Sequence, residues 1–227
     1  MKIDVLTLFP KMFESPFEES IIKRAIKNKI IEIKIHNLRD WAVDSYGSVD
    51  DKPFGGDVGM LIRADVVYGA LKDIKKENSR VILMSARGKK FNQEKAEELA
   101  KLDNLVLIAG HYEGFDQRIS DFMVDEELSI GDYVLTGGEL PAMVVMDAVA
   151  RLVPGVLGKD ESSKIESWSE IEIDGQKIRA PEYPQYTRPQ EFMEHKVPEV
   201  LVSGDPKKIK EWQLEQIKKQ LEKRKAK

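Results

Sequence analysis

Ser129-Ile130-Gly131-Asp132-Tyr133-Val134-Leu135-Thr136-Gly137-Gly138-Glu139-Leu140-Pro141 combines a short apolar run with glycines on both sides and a proline behind them. Tyr133-Val134-Leu135 reads as a buried strand bounded by turns at Gly131 and Gly137-Gly138. Pro141 suits the first turn of a helix, where a missing N–H goes unnoticed. The implied order is loop, strand, loop, helix. Glycines beside a strand end let backbone N–H and C=O groups approach a ligand closely, so such a segment can recognise an adenine-like edge without charged side chains. Taken alone, the stretch serves equally well as a tight pair of turns.

Working outward, strand and helix patterns alternate. Lys2 to Leu8 reads as a strand and Ser20 to Lys29 as a helix, with Ile21, Ile22, Ala25 and Ile26 at helical spacing. Ile31, Ile33 and Ile35 alternate with charged residues as in a strand with one buried face. Ala64 to Lys76 and Asn92 to Leu102 read as helices, Arg80 to Ser85 and Leu105 to Ile108 as wholly apolar strands, and a further helix is expected to run through Met123. Apolar strands separated by helices predict an α/β fold, a parallel sheet with helices on both faces. The glycine loops then fall at carboxyl ends of strands, where ligands of open α/β sheets bind. Asp44 to Gly59 is a polar loop of a length that usually serves function or is disordered. Ala142 to Val153 is apolar almost all round, which predicts a helix buried on most sides, at a core or a subunit interface, with the interface favoured.

After Pro154-Gly155 the character changes. Lys159 to Glu170 is polar without period and reads as a linker or lid, Ile171 to Ile178 as a hairpin turning at Asp174-Gly175 with a type I′ turn, and Asp205-Pro206 as a helix start. The organisation expected is a domain over 1–158, a linker or lid over 159–184 and a small, mainly helical domain over 185–227. From Asp205 to Lys227 nine Lys or Arg face four Asp or Glu, a balance of +5, which leaves −9 on the remainder of a chain whose net charge is −4. Such a tail suits an RNA-facing helix or a solvated helix face.

Composition narrows the chemistry. A length of 227 residues with 41% hydrophobic residues supports a large domain and a small one. The absence of cysteine rules out disulfides, thiolate catalysis and Cys-based zinc sites, and His36, His111 and His195 are too dispersed to suggest a metal site. No apolar run is long enough to span a bilayer and no leader pattern opens the chain, so a cytoplasmic protein with no membrane partner is expected. Neither G-x-G-x-x-G nor G-x-x-x-x-G-K-[ST] occurs, which weakens a dinucleotide enzyme and a P-loop nucleotidase. Three glycine-bearing loops remain, at Gly55 to Gly59, Gly110 to Gly114 and Gly131 to Gly138, with Arg151 and a carboxylate-rich linker after them.

Together with Leu8-Phe9-Pro10, Val49-Asp50-Asp51, Gly59-Met60, Tyr112-Glu113-Gly114, Pro154 to Gly158 and Tyr186-Thr187-Arg188-Pro189, these loops resemble the bacterial tRNA (guanine-N1)-methyltransferases. That family belongs to the knotted SPOUT class and methylates the guanosine immediately 3′ of the anticodon. The resemblance implies a C-terminal trefoil knot in the α/β domain, a small helical domain, and a homodimer with active sites at the subunit interface. It implies S-adenosylmethionine as methyl donor, held by Gly110, Tyr112, Glu113, Ser129, Ile130, Gly131, Asp132, Tyr133, Val134 and Leu135, with Gly137, Gly138 and Pro141 close by. The tRNA anticodon loop would be met by Asp50, Gly55, Gly59 and Arg188. Guanine N1 carries a proton at neutral pH, so a base must take it as the methyl group arrives, while a guanidinium steadies the charge gathering on O6. The family pattern assigns these roles to Arg151 and to an aspartate, at whose spacing this chain has Glu166. Further departures are Ala86 for a proline beside the donor, Asp57-Val58 in a glycine- and proline-rich stretch, and the 171–178 hairpin. Magnesium stays open. Two competing readings are a knotted ribose 2′-O-methyltransferase and a non-catalytic RNA-binding protein of the same fold.

Overall fold

The structure, a computed structural model, describes residues 1–14, 16–157, 166–173 and 175–225. It consists of two compact units, Met1–Gly158 and Lys159–Lys227. In the first, the elements run β1 (Lys2–Thr7), α1 (Ser20–Lys27), β2 (Glu32–Asn37), β3 (Asp50–Asp51), β4 (Leu61–Ile62), α2 (Ala64–Ile74), β5 (Ser79–Lys90), α3 (Gln93–Leu99), β6 (Asn104–Ala109), α4 (Gln117–Phe122), β7 (Glu126–Ser129) and α5 (Glu139–Ala150). Five strands form one sheet in the order β2-β1-β6-β5-β7, with every neighbouring pair parallel.

The apolar runs explain the layers. Successive side chains of a strand point to opposite faces, so a strand that is apolar throughout must be covered on both. Ile3 and Val5, Ile82 and Met84, and Leu105 and Leu107 pack with α1, α3 and α5 residues such as Ile22, Leu99 and Met146. Leu6, Val81 and Leu83, and Val106 and Ile108 pack with α2 and α4 residues such as Val67, Leu71 and Ile119. Asp4 breaks the apolar run of β1, and its buried carboxylate is met by Lys2 Nζ at 2.9 Å and His36 Nε2 at 2.7 Å.

Three expectations need correction. Tyr133-Val134-Leu135 is not a strand: it lies in an irregular segment between β7 and α5, and Tyr133 and Val134 are 55% and 90% exposed. The strand here is β7, four residues earlier, whose two glutamates disguised it; Glu126 is ion-paired at the sheet edge with Lys95 at 3.1 Å and Arg80 at 3.8 Å. Next, the strand expected to stop at Ser85 runs to Lys90. Met84 and Lys89 both pair with Leu128 across a bulge, which Gly88 permits because a Cβ there would sit 2.6 Å from the backbone of Glu127 and Leu128. Finally, the helix expected over 142–153 is α5, which starts at Glu139 and ends at Ala150; it is buried on most sides, as expected, but not on all. Leu140 and Val144, each about half exposed, form an outward stripe with Asp147.

In the second unit, β8 (Glu170–Ile173) and β9 (Gln176–Arg179) form an antiparallel hairpin, with Asp174 and hence its turn type outside the described residues. Much of the expected linker, residues 159–165, also lies outside them. A second hairpin, β10 (Glu191–Phe192) with β11 (His195–Lys196), not expected from the sequence, precedes α6 (Glu199–Val202) and α7 (Pro206–Lys225). Asp205 caps α7, its Oδ1 accepting from the N–H of Lys207 at 3.1 Å and of Lys208 at 3.3 Å. The Arg224 guanidinium lies 4.7 Å over the Trp168 ring. Among the described residues no helix is long and apolar enough to cross a membrane.

The Gly88 approach gives the first test. Gly88→Ala forces β5 and β7 apart and is expected to destabilise the protein by about 1–3 kcal/mol, read as a lower urea midpoint at unchanged denaturant sensitivity.

Candidate functional site

A cavity of about 650 Å³ opens at the carboxyl ends of β5, β6 and β7, well within the range of small-molecule sites. Three segments line it: Met84 to Arg87 from the bulged end of β5, Gly110 to Phe115 after β6, and Leu128 to Gly138 after β7, apart from Asp132. Of the residues singled out from sequence, Gly110, Tyr112, Glu113, Ser129, Ile130, Gly131, Tyr133, Val134, Leu135, Gly137, Gly138 and Pro141 all face it. Asp132 does not. It is exposed and pairs with Lys90 on the strand beside it.

Sequence reasoning missed Ser85, Arg87, His111 and Gln117 as cavity residues. Arg87 Nη2 donates to Gln117 Oε1 at 3.2 Å, which ties the β5 bulge to the start of α4. The available signal was Gly88, since a glycine just past an apolar strand marks an irregular end that can re-aim side chains.

Backbone contacts shape the cavity. Gly138 N–H donates to Gly110 O at 2.7 Å, and a Cβ on Gly138 would lie 2.8 Å from Gly110 N. A Cβ on Gly110 would collide with the Phe115 ring at 2.1 Å. These two glycines are thus required by protein packing against protein, before any ligand arrives. The Ser129 hydroxyl donates to Gly131 O at 3.0 Å and accepts from Gly131 N–H at 3.2 Å, which sets the first turn of the irregular segment. The Tyr133 hydroxyl donates to Ile130 O at 3.3 Å.

The polar loop before β4 is laced to the same wall. Asp50, half-buried, pairs with Ile62 across β3 and β4. Ile62 N–H donates to Gly114 O at 2.9 Å, and Glu113 N–H to Met60 O at 3.1 Å. Gly59, at φ 100°, brings the loop so near that a Cβ would touch Glu113 Cγ at 2.2 Å, whereas Gly55 stands in open space. Arg151 follows α5, half-buried, its N–H donating to Asp147 O at 3.2 Å. Glu166 and Arg188 belong to the second unit. Glu166 is half-buried with its N–H donating to Ser169 Oγ at 3.0 Å, and Arg188 is exposed. Among the described residues no group of three or more His, Asp or Glu side chains could hold a metal ion.

A parallel sheet with a glycine-walled cavity at its strand ends defines the class, an open α/β protein, an architecture whose ligands generally bind where the loops leave the sheet. Comparison with known proteins narrows this. The family described as tRNA (Guanine-1)-methyltransferase TrmD matches residues 1–227, and the chain belongs to it. A tRNA (guanine-N(1)-)-methyltransferase of Dehalococcoides mccartyi is 52% identical over 215 residues, covering 93% of this chain and 84% of the relative. That of Syntrophomonas wolfei is 52% identical over 216 residues, 95% of this chain and 85% of its own. That of a Geobacter species is 49% identical over 224 residues, 97% and 87%.

Asp116, which caps α4 beside the cavity, is held below its ordinary value of 3.8, chiefly by the Arg118 side chain, against the opposing effect of burial and with further help from the Arg118 N–H. A depressed folded value means that this contribution is complete above the unfolded pKa and is lost as pH falls through the folded one. Asp116→Asn keeps a capping oxygen without the charge. It is expected to lower the melting temperature at neutral pH while leaving the acid end nearly unchanged, so that a plot of melting temperature against pH has a flatter acid limb.

Proposed function

We propose that this protein transfers a methyl group from S-adenosylmethionine to N1 of the guanosine immediately 3′ of the tRNA anticodon. The observation that carries this is the convergence of the segments after β5, β6 and β7 on one cavity, large enough for an adenosine-bearing donor, in a chain whose family is a methyltransferase family. Backbone groups of Ile130 to Leu135 recognise the adenine edge, and Gly110, Tyr112 and Glu113 close the opposite wall. The polypeptide in this region is threaded as a trefoil knot, which would account for the close crossing of Gly138 over Gly110.

In the reaction the N1–CH₃ bond forms as the sulfonium S–CH₃ bond breaks, leaving S-adenosylhomocysteine. Glu166 takes the N1 proton, and Arg151 stabilises the charge on O6. Glu is one methylene longer than Asp, and the turn that Ser169 makes with Glu166 sets where its carboxylate begins. Asp50 accepts from N1–H and N2–H of the preceding guanosine, and the target base leaves its stack to react. The 1–158 unit is the methyltransferase domain, 159–184 the lid, and 185–227, with its basic α7, the tRNA-binding part. The protein acts in the cytoplasm.

It acts as a homodimer. Support comes from the outward stripe of Leu140 and Val144 on α5, which flanks an apolar groove with Phe17, Leu135 and Met143. Val144→Arg is expected to convert a dimer to a monomer by light scattering and to abolish methyl transfer, while circular dichroism stays folded.

The central test is transfer of labelled methyl from S-adenosylmethionine to an unmodified tRNA bearing two adjacent guanosines at the anticodon's 3′ boundary. The product nucleoside is identified by mass spectrometry. N1-methylguanosine is expected, with roughly 10²–10⁴-fold loss for Glu166→Gln and about 10²–10³-fold for Arg151→Ala. A 2′-O-methylated product, or binding of donor and tRNA without transfer, overturns the assignment.

A further inference from the structure

His111 and Glu139 lie beside the cavity and have no part in the mechanism above. Glu139 is 1% exposed in the first turn of α5. Its Oε1 accepts from the Thr7 hydroxyl at 2.8 Å, and Thr7 Oγ1 in turn accepts from Phe9 N–H at 2.9 Å. Its Oε2 is buried without a hydrogen-bond partner, 3.5 Å from His111 Nδ1, which is also buried without one. Thr7 spends its proton on Oε1, so Glu139 faces His111 as an acceptor. Of the two ring nitrogens, Nδ1 is the one that faces a carboxylate oxygen, so it is the one placed to carry the proton.

That fixes the other edge of the ring. A Cβ on Gly137 would lie 2.5 Å from His111 Nδ1 and 3.0 Å from Cε1, so this side of the imidazole is turned inward against bare backbone. The Phe9 ring stands at 4.6 Å and the Tyr112 ring at 5.9 Å. Yet the His111 side chain is 26% exposed and lines the cavity. The part that faces the cavity is therefore the Nε2 edge. A neutral imidazole that carries its proton on Nδ1 presents Nε2 as an acceptor.

We propose that His111, its tautomer set by the buried Glu139, is a donor-binding residue whose Nε2 accepts a hydrogen bond from a hydroxyl or N–H group of the methyl donor. Glu139 is a positioning residue, acting only through His111. The inference rests on the cavity being the donor site.

S-adenosylhomocysteine is the probe, titrated calorimetrically into the full chain, with ¹⁵N spectra of the histidine rings recorded in parallel. Wild-type protein is expected to bind it and to show His111 protonated at Nδ1. His111→Ala should weaken binding about tenfold, the scale of one hydrogen bond, while His111→Gln, which can place an amide oxygen near the Nε2 position, recovers most of it. Glu139→Gln should move the proton to Nε2 and weaken binding as much as His111→Ala, with no further loss in the double variant. A purely structural role for Glu139 would not move the tautomer. The proposal is overturned if wild type binds but His111→Ala binds equally well, or if the wild-type ring is protonated at Nε2 alone. Failure of wild type to bind the probe overturns the donor-site assignment and this inference with it. The wild-type spectrum judges the tautomer even if Glu139→Gln does not fold.

Discussion

The close crossing of two backbones, Gly138 over Gly110, is the constraint on which the rest of the first unit depends. The N–H of Gly138 reaches Gly110 O at 2.7 Å, and neither glycine has room for a Cβ. At that separation the segment leaving β7 lies directly against the end of β6, and α5 starts from a fixed point. α5 then lies on the sheet face that holds Ile3, Val5 and Leu107, covering it with Ala142, Val145, Met146 and Val149. Each fully buried Val or Met contributes about 1.5–3 kcal/mol. The apolar energy of that face thus depends on a contact made only of main chain. The same contact fixes the distance between two walls of the cavity, so folding and site geometry share one cause.

This explains what could and could not be seen in the residues. The alternation of apolar strands and helices was legible because burial on both faces leaves no freedom in β1, β5 and β6: every position must be apolar or, like Asp4, be paired. Edge positions carry no such demand. β7 borders only β5, so Glu126 can sit in it and be neutralised by Lys95 and Arg80, and an apolar trio beyond it then passed for the strand. The importance of Gly110, Gly137 and Gly138 was legible too, although the reason inferred, room for a ligand, is preceded by a packing reason internal to the protein.

Residue roles were less legible than residue positions. Arg151 and Glu166 are charged residues near a helix end and in a polar stretch, and charge at such places is common whether or not it does chemistry. Only the family resemblance gave them roles. His111 was weighed as a possible metal ligand and set aside for lack of neighbours, since its partner Glu139 lies 28 residues away in sequence and meets it only through the crossing at Gly138. Arg87 was hidden in the same way, by a bulge whose sole marker was Gly88.

The segment from Ile130 to Gly138 shows how the fold leaves a cavity open. Tyr133 and Val134 keep much of their apolar surface in water, so burial contributes little to holding them. What holds the segment is local and at its ends: the Ser129 turn around Gly131, the Tyr133 hydroxyl on Ile130 O, and the Gly138 to Gly110 bond. Fixing the ends and one turn specifies the path of the main chain without filling the space beside it. A strand in its place would have directed those N–H and C=O groups into a sheet ladder. As an irregular segment it lines the cavity without entering any sheet ladder. The misread strand is therefore informative: the apolar trio lines the cavity, and its exposure goes with the open space beside it.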